Sequence, residues 1–214
     1  MSKDFTIYGQ LAQLERNNEF KDKFKALYEE SLLNNFETGW ILYPSVSSTF
    51  RYEKVSGQPN NASVHFEPSS SVDGFIHCHY KNLYPTFSGS DIRAVYDAWD
   101  NEQIYDPQTF LSGVVSASGN AYLLKITDLS AFIGFANANL SAAAAFRSFE
   151  YGYHNKQQAW LATHNNEVLS FEQALLDMLA HSGLVMFKSN TNFNSWHRME
   201  KLPDGKIVLL NCNE

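Results

Sequence analysis

Two histidines one residue apart, His77 and His79 in "GFIHCHYKNLYPTFSGSDI" (residues 74–92), carry the most pointed chemistry in the chain. In a strand, residues i and i+2 share a face, about 6.6 Å apart at Cα. Both imidazoles can therefore converge on one ion while Cys78 faces the other way. Asp91 follows a polar loop and falls in the first turn of a helix, where it can supply a third ligand. Two imidazoles and a carboxylate are a ligand set that suits zinc and leaves a fourth position open. The same residues have a plainer reading. Ser88-Gly89-Ser90-Asp91 is also the S-x-x-D of a helix capping box, and an H-x-H pair is equally compatible with two hydrogen-bonded histidines.

The flanking sequence supplies the elements that would hold these residues. "EFKDKFKALYEESLL" (19–33) places Phe20, Phe24, Leu27, Ser31 and Leu32 at helical spacing, which predicts an amphipathic helix. "FETGWILYPSV" reads as a buried strand closed by Pro44, "STFRYEKV" as an alternating strand, and "ASVHFEP" as a short one before the strand "FIHCHY". "GSDIRAVYDAW" puts Ile92, Val95, Tyr96 and Trp99 on one helical face, and "TFLSGVVSA" and "AYLLKITDL" form a hairpin around "SGN". The connections are short, which favours a mixed, mostly antiparallel sheet flanked by helices.

Beyond residue 140 the pattern changes. "LSAAAAFRSFEYGYHNKQQAWLATHN" leans helical, and "SFEQALLDMLAHSG" predicts a helix with a Ser170/Gln173 capping box and a closing Gly183. "LVMFKS" and "KIVLLNC" read as strands. No linker separates the two parts. The chain is therefore read as a core over residues 1–140 and a helical and β extension over 141–214 packed on it. "NTNFNSWHRME" in that extension is polar and loop-like, a candidate lid.

Composition sets outer limits. The 214 residues are 44% hydrophobic and 18% charged, a globular balance. A net charge of -7 with no basic stripe argues against nucleic-acid binding. Cys78 and Cys212 cannot build a disulfide framework, the N-terminus shows no apolar targeting segment, and no run approaches the ~18 apolar residues of a membrane helix. The expected setting is the cytoplasm, with no membrane partner.

"HCH…SGSD" resembles the H-x-H-P-x(6)-S-x-x-D signature of the JAMM (MPN+) zinc metalloprotease family. "FKALYEESLLNNFETGWILY" resembles that family's first helix and E-x-x-G-x-L strand, and "SGVVSASGNAYLLKITDL" the strand pair after its metal-bearing helix. The resemblance covers residues 19–130 in order. It implies an MPN-like α/β (α+β) fold in which His77, His79 and Asp91 bind one Zn2+ per chain. Glu37 would be the general base for a zinc-activated water, and Ser88 the hydroxyl that stabilises the oxyanion. The implied reaction is hydrolysis of a peptide or isopeptide bond in a protein or peptide substrate, including the tail of a ubiquitin-like modifier. Two departures touch the loop beside the cleft: Tyr80 stands where the family has proline, and the loop to Ser88 is one residue longer.

Glu53 and Glu67 rival Glu37 for the base. A non-catalytic MPN-like interaction scaffold and a zinc hydrolase of a small amide remain the alternative functions. His154, His164, His181 and His197 show no metal-binding spacing. The aromatic group Trp160, Phe171, Phe187, Phe193 and Trp196 is read first as core and second as a recognition groove.

Overall fold

The computed structural model describes residues 3–46 and 49–211, with side chains from Ile7 onward; Cys212 lies outside them. In chain order the elements are α1 (Lys3–Arg16), α2 (Asn18–Leu33), β1 (Thr38–Pro44), β2 (Phe50–Ser56), β3 (Gly74–His79), α3 (Gly89–Asp100), β4 (Leu111–Ser116), β5 (Ala121–Ile126), α4 (Leu129–Asn139), α5 (Ala143–His164), α6 (Glu167–Met178), β6 (Leu184–Ser189), β7 (Trp196–Lys201) and β8 (Ile207–Asn211). The strands form one open eight-stranded sheet in the order β2-β1-β3-β4-β5-β6-β7-β8. Every neighbouring pair is antiparallel except β3 and β4. That parallel pair needs a long crossover, which α3 supplies. The expected mixed, mostly antiparallel sheet flanked by helices is therefore observed.

Strand alternation divides the core in two. Leu42, Ile76, Cys78 and Leu123 face α1 and α2, where Phe20, Phe24 and Leu27 are fully buried. Ile41, Phe75, Val114 and Leu124 face α3 to α6, meeting Ile92, Val95, Phe149 and Leu175. With both faces covered, all six residues of β3 are buried, and the H-x-H histidines share the α3 side with Phe75. Phe24 anchors the other side, 5.8 Å from Phe193 and 5.2 Å from Trp196 between ring centroids. Truncating so enclosed a ring costs about 3–5 kcal/mol.

The extension does not stand apart: β6 pairs with β5, so β6 to β8 continue the sheet that carries the histidines. Among the described residues no single helix is long and apolar enough to cross a membrane; α4 and α5 match in length and composition only as a pair, bent by 98°.

Several local expectations need correction. Residues 3–16 were given no element, yet form α1, whose Ile7, Leu11 and Leu14 are buried at helical spacing. Leu32 is 40% exposed, so the α2 stripe is Phe20, Phe24, Leu27 and Ser31. Ser170 is not a cap. The α6 cap is Asn166, which accepts from the Leu169 N–H at 3.0 Å, while the Ser170 hydroxyl lies inside the helix and donates to the Glu167 carbonyl. "ASVHFEP" forms no strand: both edges of β1 are taken by β2 and β3, and the segment runs irregularly beside the histidines, where the Val64 N–H meets the Glu37 carboxylate. The "NTNFNSWHRME" stretch is no lid over the histidines: Phe193 and Trp196 pack on the α2 face, opposite them.

Candidate metal centre

The histidines are held from behind. His77 Nδ1 lies 3.1 Å from the Gly113 carbonyl and His79 Nδ1 2.9 Å from the Tyr84 carbonyl. A carbonyl can only accept, so each Nδ1 carries a proton and donates it; in the neutral imidazole this leaves Nε2 as the lone pair that a ligand or a second proton can take. The two Nε2 atoms stand 3.1 Å apart. Asp91 completes the group, with Oδ1 3.1 Å from His77 Nε2 and Oδ2 3.3 Å from His79 Nε2. Ligands ~2.0–2.1 Å from a tetrahedral zinc are ~3.3 Å from one another. The separations among His77, His79 and Asp91 are of this order, although the two imidazoles meet different Asp91 oxygens.

Glu37 joins them. Its Oε1 is 3.7 Å from His79 Nε2, and one ligand atom each from Glu37, His77 and His79 all lie within 4.8 Å of one another. This buried group could hold a metal ion. Glu37 sits immediately before β1, and Gly39 explains how that strand passes so close to its cover. A Cβ on Gly39 would stand 2.7 Å from the Ile76 carbonyl and 3.0 Å from the Phe66 ring. Phe66 in turn stacks on Phe75 at 4.6 Å and meets the His77 ring edge-on at 6.2 Å. The Val64 N–H from the same segment donates to the Glu37 carboxylate. Glu67 is exposed, and Glu53 is bonded by the Tyr43 hydroxyl; both line a neighbouring groove on the β2 side.

Electrostatics follow from burial and convergence. Burial pushes the Glu37 carboxyl up, against the opposing pull of His77 and His79. Burial would also raise Asp91, but the charges and hydrogen bonds of both imidazoles hold it well below the usual carboxylate range. For His79 burial acts downward, yet Asp91, Glu37 and the Tyr84 carbonyl together carry it up to about 9. The cluster demands positive charge.

The cap and ligand readings of "SGSD" coexist. Ser88 is the α3 N-cap in a full capping box: its hydroxyl accepts from the Asp91 N–H, and its own N–H donates to Asp91 Oδ2 at 2.6 Å. The Ser88 hydroxyl also donates to Oδ2 at 2.8 Å. Oδ2 is thus the capped oxygen, and Oδ1 is left to face His77. Cys78 points to the opposite face, 3.3 Å from the Thr38 hydroxyl. The departures at Tyr80 and in loop length resolve into a tight turn. The Leu83 N–H donates to the Tyr80 carbonyl at 3.2 Å, with Asn82 in the left-handed region at φ 71°.

The centre lies at the base of a cleft of about 470 Å³ whose walls include residues 62–66, Tyr84, Ser88, Arg93, Asp97 and Glu150. Tyr84, Val64 and Phe66 take part here without having been singled out in the sequence. The first two act through backbone groups, which any residue type possesses, so they leave no sequence signal. No protein-family model, curated protein or solved structure matches this chain.

Proposed function

We propose that the chain is a zinc-dependent hydrolase of the JAMM type that cleaves a peptide or isopeptide bond. One observation carries this reading: two imidazoles fixed through Nδ1 aim their Nε2 atoms at the Asp91 carboxylate, with Glu37 beside them, at the base of an open cleft. His77, His79 and Asp91 are the ligands. Bound there, zinc would supply a Lewis acid and bring the pKa of a water to about 7.

The remaining chemistry belongs to the protein. Glu37, whose burial makes its carboxylate a better proton acceptor, takes the proton from the attacking water and passes it to the leaving amine. The Ser88 hydroxyl lines the cleft and, by turning its one proton away from Asp91 Oδ2, becomes the donor for the developing oxyanion. The open groove suits an extended protein or peptide tail, with a ubiquitin-like modifier one such substrate.

The test is the metal content of protein purified without added metal or chelator, beside a His77→Ala/His79→Ala control. One zinc per chain, lost in the control, is expected. Glu37→Gln should then keep its zinc and lose about 10²–10⁴-fold in hydrolysis. No metal uptake, even when zinc is supplied, would leave a scaffold; an active Gln variant would displace Glu37 as the base.

A further inference from the structure

The role of α5 and α6 has no counterpart in the motif that marks the metal ligands, yet these helices reach the centre from behind. α5 turns one stripe toward it. Phe146 lies under the Arg93 guanidinium of α3, 4.9 Å from ring centroid to charge. One turn on, Glu150 fills the space beside Gly89, where an added Cβ would meet its Cγ at 2.9 Å. One turn further, the buried Tyr153 hydroxyl donates to the Phe87 carbonyl at 3.0 Å. The i, i+4, i+7 spacing lays one helix face along the first turn of α3 and the end of the His79–Ser88 loop.

That loop contributes the carbonyl that fixes His79. Tyr84, whose C=O receives the His79 Nδ1 proton, has its ring packed against Phe171 of α6 at 4.7 Å with a 42° tilt and set perpendicular to Tyr153 at 5.9 Å. Phe171 and Tyr153 also meet each other edge-on at 6.1 Å. The loop is thereby gripped at Tyr84 and again at Phe87, both times from the extension. A shift of the Tyr84 carbonyl would let the His79 ring rotate and move Nε2 off the ion, because the bond at Nδ1 sets the direction of Nε2.

We propose that Tyr153 and Phe171 are positioning residues for the metal centre: they clamp the Tyr84–Phe87 segment so that the Tyr84 carbonyl holds His79 Nε2 toward the ion. The inference rests on the metal-centre reading above, and it assigns residues 141–214 the task of preorganising the ligand set.

The test measures zinc affinity by chelator competition and the visible spectrum of the cobalt(II)-loaded full chain, for Tyr153→Phe and Phe171→Leu. Trp160→Phe serves as a comparison, since Trp160 lies on the same helix but bonds Asp177 instead of the loop. In Tyr153→Phe and Phe171→Leu the zinc Kd should rise about tenfold, the lower end of the effect of losing an outer partner of a ligand, and the cobalt bands should shift. Trp160→Phe should lower the apo-protein Tm while leaving Kd and spectrum alone. Wild-type metal uptake with unchanged Kd and spectrum in both loop-clamp variants would overturn this inference alone. A wild-type chain that takes up neither metal would overturn the centre and the clamp together.

Discussion

The His77–His79–Asp91–Glu37 cluster and the Glu172 cluster both bury charge on the same side of the sheet, but they satisfy it differently. Glu172 Oε1 accepts from the Tyr122 hydroxyl at 2.7 Å and from Lys188 Nζ at 2.6 Å, so each donor meets an acceptor and the ion pair is closed. Around the histidines the groups that meet are of one kind. Two Nε2 lone pairs and two carboxylates converge, and each Nδ1 proton is already committed to a carbonyl. Only a shared proton or a cation can satisfy such a set. Convergent acceptors, more than burial or the number of charges, set a cluster that could hold a metal ion apart from a closed ion pair.

That difference can be broken from either side. Asp91→Ala removes one of the converging acceptors and is expected to abolish zinc retention, the largest effect; full occupancy by metal analysis would remove Asp91 from the ligand set. Ser88→Ala should be next. Losing the cap costs about 1 kcal/mol of stability, while losing an oxyanion donor costs about 10²–10³-fold in kcat. Steady-state kinetics beside a denaturant melt separate the two, and a rate within tenfold of wild type would leave Ser88 a cap only.

The closed cluster should respond in the opposite way. Glu172→Ala strands the fully buried Tyr122 hydroxyl and the Lys188 ammonium together. Breaking such a pair is expected to cost about 3 kcal/mol, the lower end for a buried pair, because Lys188 keeps some access to water. Zinc content should not change. If this variant lost zinc while remaining folded, the two clusters would be coupled and the distinction drawn above would fail.

The legibility of these clusters in the sequence was uneven for physical reasons. His77, His79 and Asp91 were readable as a converging group because side-chain type and short-range spacing along a strand, a loop and a helix start bring them together; Glu37 and Ser88 entered as candidates only through the family resemblance. The mostly antiparallel sheet and most of its flanking elements were readable because apolar periodicity records which face of each strand and helix is buried, but α1 was missed and β7 (Trp196–Lys201) lay largely inside a stretch read as loop-like. The grip of Tyr153 and Phe171 on the loop was not, since it joins residues far apart in sequence through packing and a backbone carbonyl. Ser170 misled because Ser-x-x-Gln fits a capping box equally well when the helix begins one turn earlier, at Asn166. The "ASVHFEP" segment has strand composition, but composition does not say what its backbone will bond, and the Val64 N–H is given to the Glu37 carboxylate.

Lys125 extends the comparison to a third buried charge, one that pH can read. It is fully buried, and its Nζ donates to the Gln10 side chain of α1 and to the Thr109 and Phe110 carbonyls, the latter two at 3.1 Å. Asp73 and Asp106 face it without closing an ion pair, and burial, outweighing both, lowers its pKa to about 7. The sign then follows from proton counting. Between about pH 7 and the ordinary lysine value of 10.5 the unfolded chain keeps the proton that the folded chain has lost. Stability should therefore increase with pH across this window, by up to about 1.4 kcal/mol per unit, and this contribution should vanish below pH 7. Denaturant melts at pH 7, 8 and 9 read the slope directly, and Lys125→Met should flatten it. A slope that survives in the Met variant would assign the titration to another group. Lys125 would then be a charged lysine that its carbonyl partners satisfy as fully as Glu172 satisfies Lys188.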